Sequence, residues 1–276
     1  MSGFDPPTVA AAAAPASAFA RRGRIMALTS GKGGVGKTFL AANLAAALAR
    51  RGAKVLVLDA DLGLANLDVV LNLQPKITLH DVFTGKVALD DAVLQAPGGF
   101  SVLLAGSGLV EYSRLTAEVR QQLVDVIATL APRFDRILLD TGAGISDVVL
   151  YALSLADDVL VVVTPEPTSM TDAYATIKVL ALQEPARRDV RLVVNQTSRT
   201  GEGRAVRGQL ALVIDRFVTP NLAPGSAPLT LDLLGEVPTD PTVRESVRKR
   251  RLLLDLAPGC PAARAVHVIA QRLQGG

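Results

Sequence analysis

Eight consecutive residues, Gly31-Lys32-Gly33-Gly34-Val35-Gly36-Lys37-Thr38, satisfy the spacing G-x-x-x-x-G-K-[ST]. That spacing describes a phosphate cradle. Glycines let the backbone close around anionic oxygens with its N–H groups turned inward, and the field at the start of a following helix adds to the attraction. Lys37 stands where it can neutralise the β and γ phosphates of a nucleoside triphosphate, and the Thr38 hydroxyl where it can ligate Mg²⁺.

Three acids have matching positions. Asp59 and Asp61 end the apolar run at 55–59, and Asp140 ends another at 136–140. Acids at the carboxyl ends of parallel strands stand beside the phosphate loop in folds of this kind. In phosphoryl transfer the catalyst mainly positions groups and neutralises charge, so one carboxylate holding water in line is sufficient. Asp140 reads as the acid that holds the Mg²⁺ hydration shell, with Gly142 and Gly144 behind it as a loop able to change conformation. Helix capping is the plainer explanation of Asp61.

A cradle of this type needs a strand before it and a helix after it, and the chain supplies both. Short Val/Ile/Leu-rich runs predict strands at 25–29, 55–59, 102–105, 136–140, 159–164, 192–194 and 231–237. Helical periodicity predicts helices at 39–50, 117–130, 171–182, 241–254 and 262–273. Several strands are apolar on both faces, which requires helices on both sides of a sheet. The fold class is therefore α/β: a mostly parallel twisted sheet covered on both faces, built from repeated βαβ units.

Composition sets the remaining bounds. The 276 residues suffice for one large domain, and nothing after Gly23 resembles a Gly- or Ser-rich linker, so 24–276 is read as one ATPase-type domain. Residues 1–23 read as a disordered leader: Asp5 and the prolines at 6, 7 and 15 deny them the basic start and unbroken apolar helix of an export signal. The formal charge of +3, from 29 bases and 26 acids, excludes a generally basic nucleic-acid binder. One local cluster, Arg244, Arg248, Lys249, Arg250 and Arg251, could meet DNA or an acidic partner, or form a solvated helix face. The single Cys260 excludes an internal disulfide and points to a reducing compartment. No run reaches the roughly 18–20 apolar residues of a membrane span.

The segment KGGVGKT, with a second lysine one position after the first glycine, resembles the deviant Walker A loop of the MinD/ParA ATPase family. The resemblance extends over about 24–273, and within it Asp59-Ala-Asp-Leu-Gly-Leu-Ala-Asn-Leu-Asp68, Thr78-Leu-His-Asp-Val82 and Leu104-Ala-Gly-Ser-Gly108 look most like the flagellar-number branch, FlhG/FleN. It implies an ATPase that uses ATP with Mg²⁺ and dimerises in the ATP state. Lys32 would reach across the dimer to the partner's nucleotide, Asp61 would orient the attacking water, and Asp59 would support the metal. Asn195 would read adenine, with Pro238 and Asp240 closing over the base, although a Pro/Asp turn explains that last pair almost as well. The loop 164–169 would lie near the dimer contact.

Implied partners are the flagellar GTPase FlhF, flagellar basal-body proteins or a flagellar transcription activator. The implied location is cytoplasmic, with recruitment to a cell pole or the inner membrane face. A partition-type ATPase carrying DNA or protein cargo on the nucleoid, or a regulator of the division site, are the alternatives.

Overall fold

The computed structural model describes residues 23–61, 66–106, 115–183 and 189–275. Along them the elements are β1 (Arg24–Ser30), α1 (Lys37–Ala49), β2 (Val55–Ala60), α2 (Leu67–Leu71), α3 (Leu79–Phe83), α4 (Leu89–Ala92), β3 (Val93–Gln95) and β4 (Ser101–Leu103). They continue with α5 (Ala117–Leu130), β5 (Arg136–Ala143), α6 (Asp147–Ser154), β6 (Asp158–Val163), α7 (Pro167–Gln183), β7 (Asp189–Thr197) and α8 (Glu202–Phe217). The last are β8 (Thr230–Pro238), α9 (Pro241–Arg248), α10 (Leu253–Leu256) and α11 (Pro261–Gly275). The expected leader falls almost wholly outside the described residues, as do 62–65 and 107–108 of the segments that carried the family resemblance.

The strands form one eight-stranded sheet in the order β3-β4-β2-β5-β1-β6-β7-β8. All neighbours are parallel except β3, which runs antiparallel to β4 at one edge. Strand alternation divides the core in two. Ile25, Ala27, Leu56, Leu58, Val159 and Val161 face α5, α6, α7 and α8, whereas Met26, Leu28, Val55, Val57, Leu160 and Val162 face α1, α10 and α11. Both faces of the central strands are therefore apolar because both are covered.

α1 is buried almost all round, with Ala41, Ala42, Ala45, Ala46 and Ala47 inaccessible. Its alanines let the sheet on one side and α11 on the other approach closely, so the helix that starts at the phosphate loop is held rigidly. Among the described residues no helix is long and apolar enough to cross a membrane.

Two expectations need correction. The helix predicted over 241–254 is two helices, because α9 stops at Arg248 and Arg250 adopts a left-handed φ of 50°. Beyond the break Leu252, Leu253 and Leu254 are all buried. There Leu254 N–H donates to Asn43 Oδ1 at 3.4 Å and its carbonyl accepts from Arg50 at 3.1 Å. The expectation at 192–194 captures only the apolar middle of β7, whose polar ends are held by pairing to β6 and β8.

Candidate active site

The carboxyl ends of β1, β2 and β5 meet at one edge of the sheet, where β1 runs straight into the glycine loop and the loop into α1. Gly34 and Gly36 have φ of 79° and 96°, which only glycine adopts without strain. The loop is shaped from below. A Cβ at Gly31 would lie 2.1 Å from the Asp172 backbone, and one at Gly36 would lie 2.4 Å from Asn195 Nδ2. Above Gly33 and Gly34 a Cβ would meet nothing within 4 Å among the described residues. The loop is thus pressed against α7 and β7 on one side and open on the other, and α1 begins without a side-chain cap on its first N–H groups. Uncapped donors at a helix start form an anion site.

Lys37 is buried, and its Nζ donates to Ser30 Oγ at 2.9 Å. Burial lowers its pKa, and the nearby Asp140 and Asp61 carboxylates oppose that effect. Asp59 and Asp140 are directly paired neighbours on β2 and β5. Burial raises the Asp59 pKa well above the usual carboxylate range, and the Asp140 charge pushes it further. The Asp140 pKa is raised to about 6, chiefly by burial, while a hydrogen bond from Thr38 and the Lys37 charge pull the other way. One oxygen of each, Asp59 Oδ2 and Asp140 Oδ1, is buried without a hydrogen-bond partner among the described residues.

Two buried carboxylates side by side, each with an orphaned oxygen, are costly unless a cation joins them. Hard oxygen donors beside a phosphate cradle suit Mg²⁺, and among the described residues no group of three His, Cys, Asp or Glu forms a self-sufficient metal site. The donor set is of the kind that holds Mg²⁺ jointly with phosphate oxygens and water. Bound there, Mg²⁺ supplies charge neutralisation to the triphosphate. Asp61 is half-buried, and a Cβ at Gly142 would lie 3.4 Å from its Oδ1. The first acidic loop and the end of β5 are therefore in contact range.

One cleft of ≈ 710 Å³ opens here, lined by Gly33, Gly34, Lys37, Thr38, Asp61 and Gly142, and Asp59 and Asp140 lie behind its wall, next to the lining residues Ala60 and Thr141. Asn195, Pro238 and Asp240 do not line it. Asn195 sits beneath the loop, its Nδ2 donating to the Val35 carbonyl at 2.7 Å. Pro238 ends β8, where Thr239 N–H donates to the Thr197 carbonyl at 2.8 Å. Asp240 caps α9, accepting from Thr242 N–H at 3.0 Å, and its other oxygen accepts from Ala262 N–H at 3.3 Å at the start of α11. Its burial would raise the pKa, but the hydrogen bonds from Thr242, Ala262 and Cys260 outweigh it and hold the pKa low. The Asp240 carboxylate is thus committed to the fold.

Lys32 is exposed at the loop's rim, where its Nζ bonds Glu166 Oε2 at 3.0 Å and Thr168 Oγ1 at 3.2 Å. Sequence reasoning placed the 164–169 loop near a contact but did not single out Glu166. It missed Ser30 entirely. The only signal there was its place directly before the loop.

Strand, glycine loop, helix and paired strand-end acids define a P-loop ATPase that takes ATP with Mg²⁺. Comparison with known proteins agrees. A family model described as an AAA domain matches residues 23–190. The chain is 40% identical over 250 residues to the antiactivator FleN of Pseudomonas aeruginosa, covering 91% of this chain and 86% of that protein. It is 34% identical over 260 residues to the flagellum site-determining protein YlxH of Helicobacter pylori, covering 93% and 84% respectively. Among solved structures, the septum site-determining protein MinD of Pyrococcus horikoshii, complexed with Mg-ADP, aligns with a TM-score of 0.73 at 27% identity, covering 91% of this chain and 95% of that one. The chain belongs to the MinD/ParA family of P-loop ATPases, and FleN and YlxH put its similarity on the flagellar side of that family.

Proposed function

We propose that the chain is an ATP-gated dimerisation switch that regulates flagellar number or placement. The observation that carries the switch is Lys32, a cation inside the phosphate loop that does not line its own cleft and is bonded instead to the exposed Glu166 and Thr168. A lysine there can serve a nucleotide bound by a second copy. Val69, Ile145 and Val247 are each 46% exposed, and all three belong to the cleft wall or to segments adjoining it. An apolar rim around a charged cleft suits a face that closes against another copy. Within this reading Lys37 and the loop N–H groups hold the triphosphate, and Thr38, Asp59 and Asp140 hold Mg²⁺. Asp61 aligns the attacking water, Asn195 Oδ1 and the backbone at Pro238 face the base, and Gly142 and Gly144 let the second loop relax after hydrolysis.

The flagellar role is supported by the similarity to FleN and YlxH. Partners would be flagellar assembly or regulatory proteins, such as the GTPase FlhF, a basal-body protein or a flagellar transcription activator. Sedimentation velocity of an Asp61→Ala variant tests the switch: dimers with MgATP and monomers with MgADP are expected, and monomers in both reject it. Flagella counted by electron microscopy in cells lacking the gene test the biological role, which an unchanged number and position would reject while leaving the switch standing.

A further inference from the structure

Ser30 makes three bonds that join parts of the site otherwise separate in sequence. It is the last residue of β1, fully buried and paired with Ala143 of β5 just beyond a shift in the strand register. Its hydroxyl accepts from Lys37 Nζ at 2.9 Å and donates to the Lys32 carbonyl at 2.7 Å. Its own carbonyl accepts from Gly144 N–H at 2.8 Å, in the loop beyond β5.

The direction of each bond is fixed by chemistry. An ammonium has three donors and no lone pair, so Ser30 Oγ must accept from Lys37. The single hydroxyl proton is then free for the Lys32 carbonyl, which makes the chain Lys37 to Ser30 to Lys32 directional. One N–H of Lys37 is anchored and two remain to face the cleft. Because Ser30 sits in the sheet rather than in a loop, the anchor is rigid, and rigidly aimed charge needs no reorganisation when the reaction demands it.

We propose that Ser30 is a positioning residue for ATP hydrolysis in this chain, aiming the Lys37 ammonium and tying the phosphate loop to the loop after β5. The proposal rests on the ATPase assignment of the same site. Its hydroxyl acts through Lys37, whose charge meets the negative charge that develops on the phosphoryl oxygens during transfer. Loss of the anchor therefore falls on turnover more than on substrate binding.

The test is steady-state phosphate release by the full chain with MgATP, for wild type, Ser30→Ala and Ser30→Thr. Ser30→Ala is expected to lower kcat about tenfold, the lower end for a hydrogen bond to a charged group, with KM moving less than about threefold. Ser30→Thr, which keeps the hydroxyl, is expected to recover most of the loss. A Ser30→Ala kcat within about twofold of wild type overturns the proposal, and so does a folded Ser30→Thr protein as slow as the alanine variant.

Where the added methyl unfolds the buried site, the Lys37 ammonium signal in solution NMR supplies a second readout. Its protons should exchange faster with water in Ser30→Ala than in wild type, and an unchanged rate overturns the anchor. Absence of wild-type turnover would count against the ATPase assignment, whereas normal wild-type turnover with an unaffected Ser30→Ala variant would count against Ser30 alone.

Discussion

Two buried aspartates one hundred residues apart, Asp140 at the end of β5 and Asp240 after β8, have opposite electrostatics. Asp140 has an orphaned oxygen, a like-charged neighbour in Asp59 and a pKa raised to about 6. Asp240 has both oxygens hydrogen-bonded and a pKa held below the ordinary value. Both are nearly inaccessible, at 3% and 8% exposure, but Asp140 lies far deeper in the protein. Depth and hydrogen-bond satisfaction differ together. The β2–β5 corner is left incomplete until a cation and a triphosphate arrive, whereas the β8–α9 corner is complete in the chain itself. An acid that destabilises its own fold is held for a ligand, and one that stabilises it is held for architecture.

The largest effect should come from Asp140→Asn. Turnover is expected to fall at least about a hundredfold, because an amide cannot supply the negative charge that Mg²⁺ needs. Stability of the ligand-free protein should move the other way. A carboxyl raised from 3.8 to about 6 contributes stability that is present below the unfolded value and is lost as pH rises through the folded one. At neutral pH that loss is roughly 3 kcal/mol, so Asp140→Asn should unfold at higher denaturant than wild type, and the gap should shrink toward acid pH. Urea titrations at neutral and acidic pH check this, and a less stable variant at neutral pH would break the comparison.

Asp240→Ala should do the reverse. Losing the α9 cap and the bond to α11 is expected to cost about 1–2 kcal/mol while leaving the KM for ATP within a few-fold of wild type. The folded pKa of Asp240 is lowered, so this contribution is present above the unfolded value and is lost as pH falls through the folded one. A selective loss of ATP affinity without destabilisation would move Asp240 to the nucleotide and erase the contrast.

The smallest effect belongs to Glu166→Gln. The pair it makes with Lys32 has side-chain exposures of 61% and 41%, so its removal should cost well under about 1 kcal/mol and be masked by salt. Its use is in sharpening the comparison. ATP-dependent sedimentation should change in this variant while the melting curve does not, because Lys32 loses its partner within the chain.

The phosphate loop was legible because its chemistry is local: eight adjacent residues whose backbone conformation and single lysine do the binding. The central strands were legible for a similar reason, since apolar runs with covered faces read the same way in any order. The short antiparallel β3 was not, because three partly exposed residues give no period. The break after α9 was hidden as well, since 241–254 has good helical composition and the left-handed backbone that ends the helix falls on Arg250, a residue type that does not announce it.

By itself the sequence determined the cradle, the α/β class and the set of acids at strand ends. Tertiary structure alone decided which acids lack partners, that Asn195 Nδ2 is committed to Val35, that Ser30 connects two lysines and a distant loop, and that Asp240 closes a helix. Backbone shape and residue type act over a few positions, and the chain states them directly. The charge state and hydrogen bonding of a buried group depend on neighbours that approach it from other strands, and those exist only once the sheet has formed.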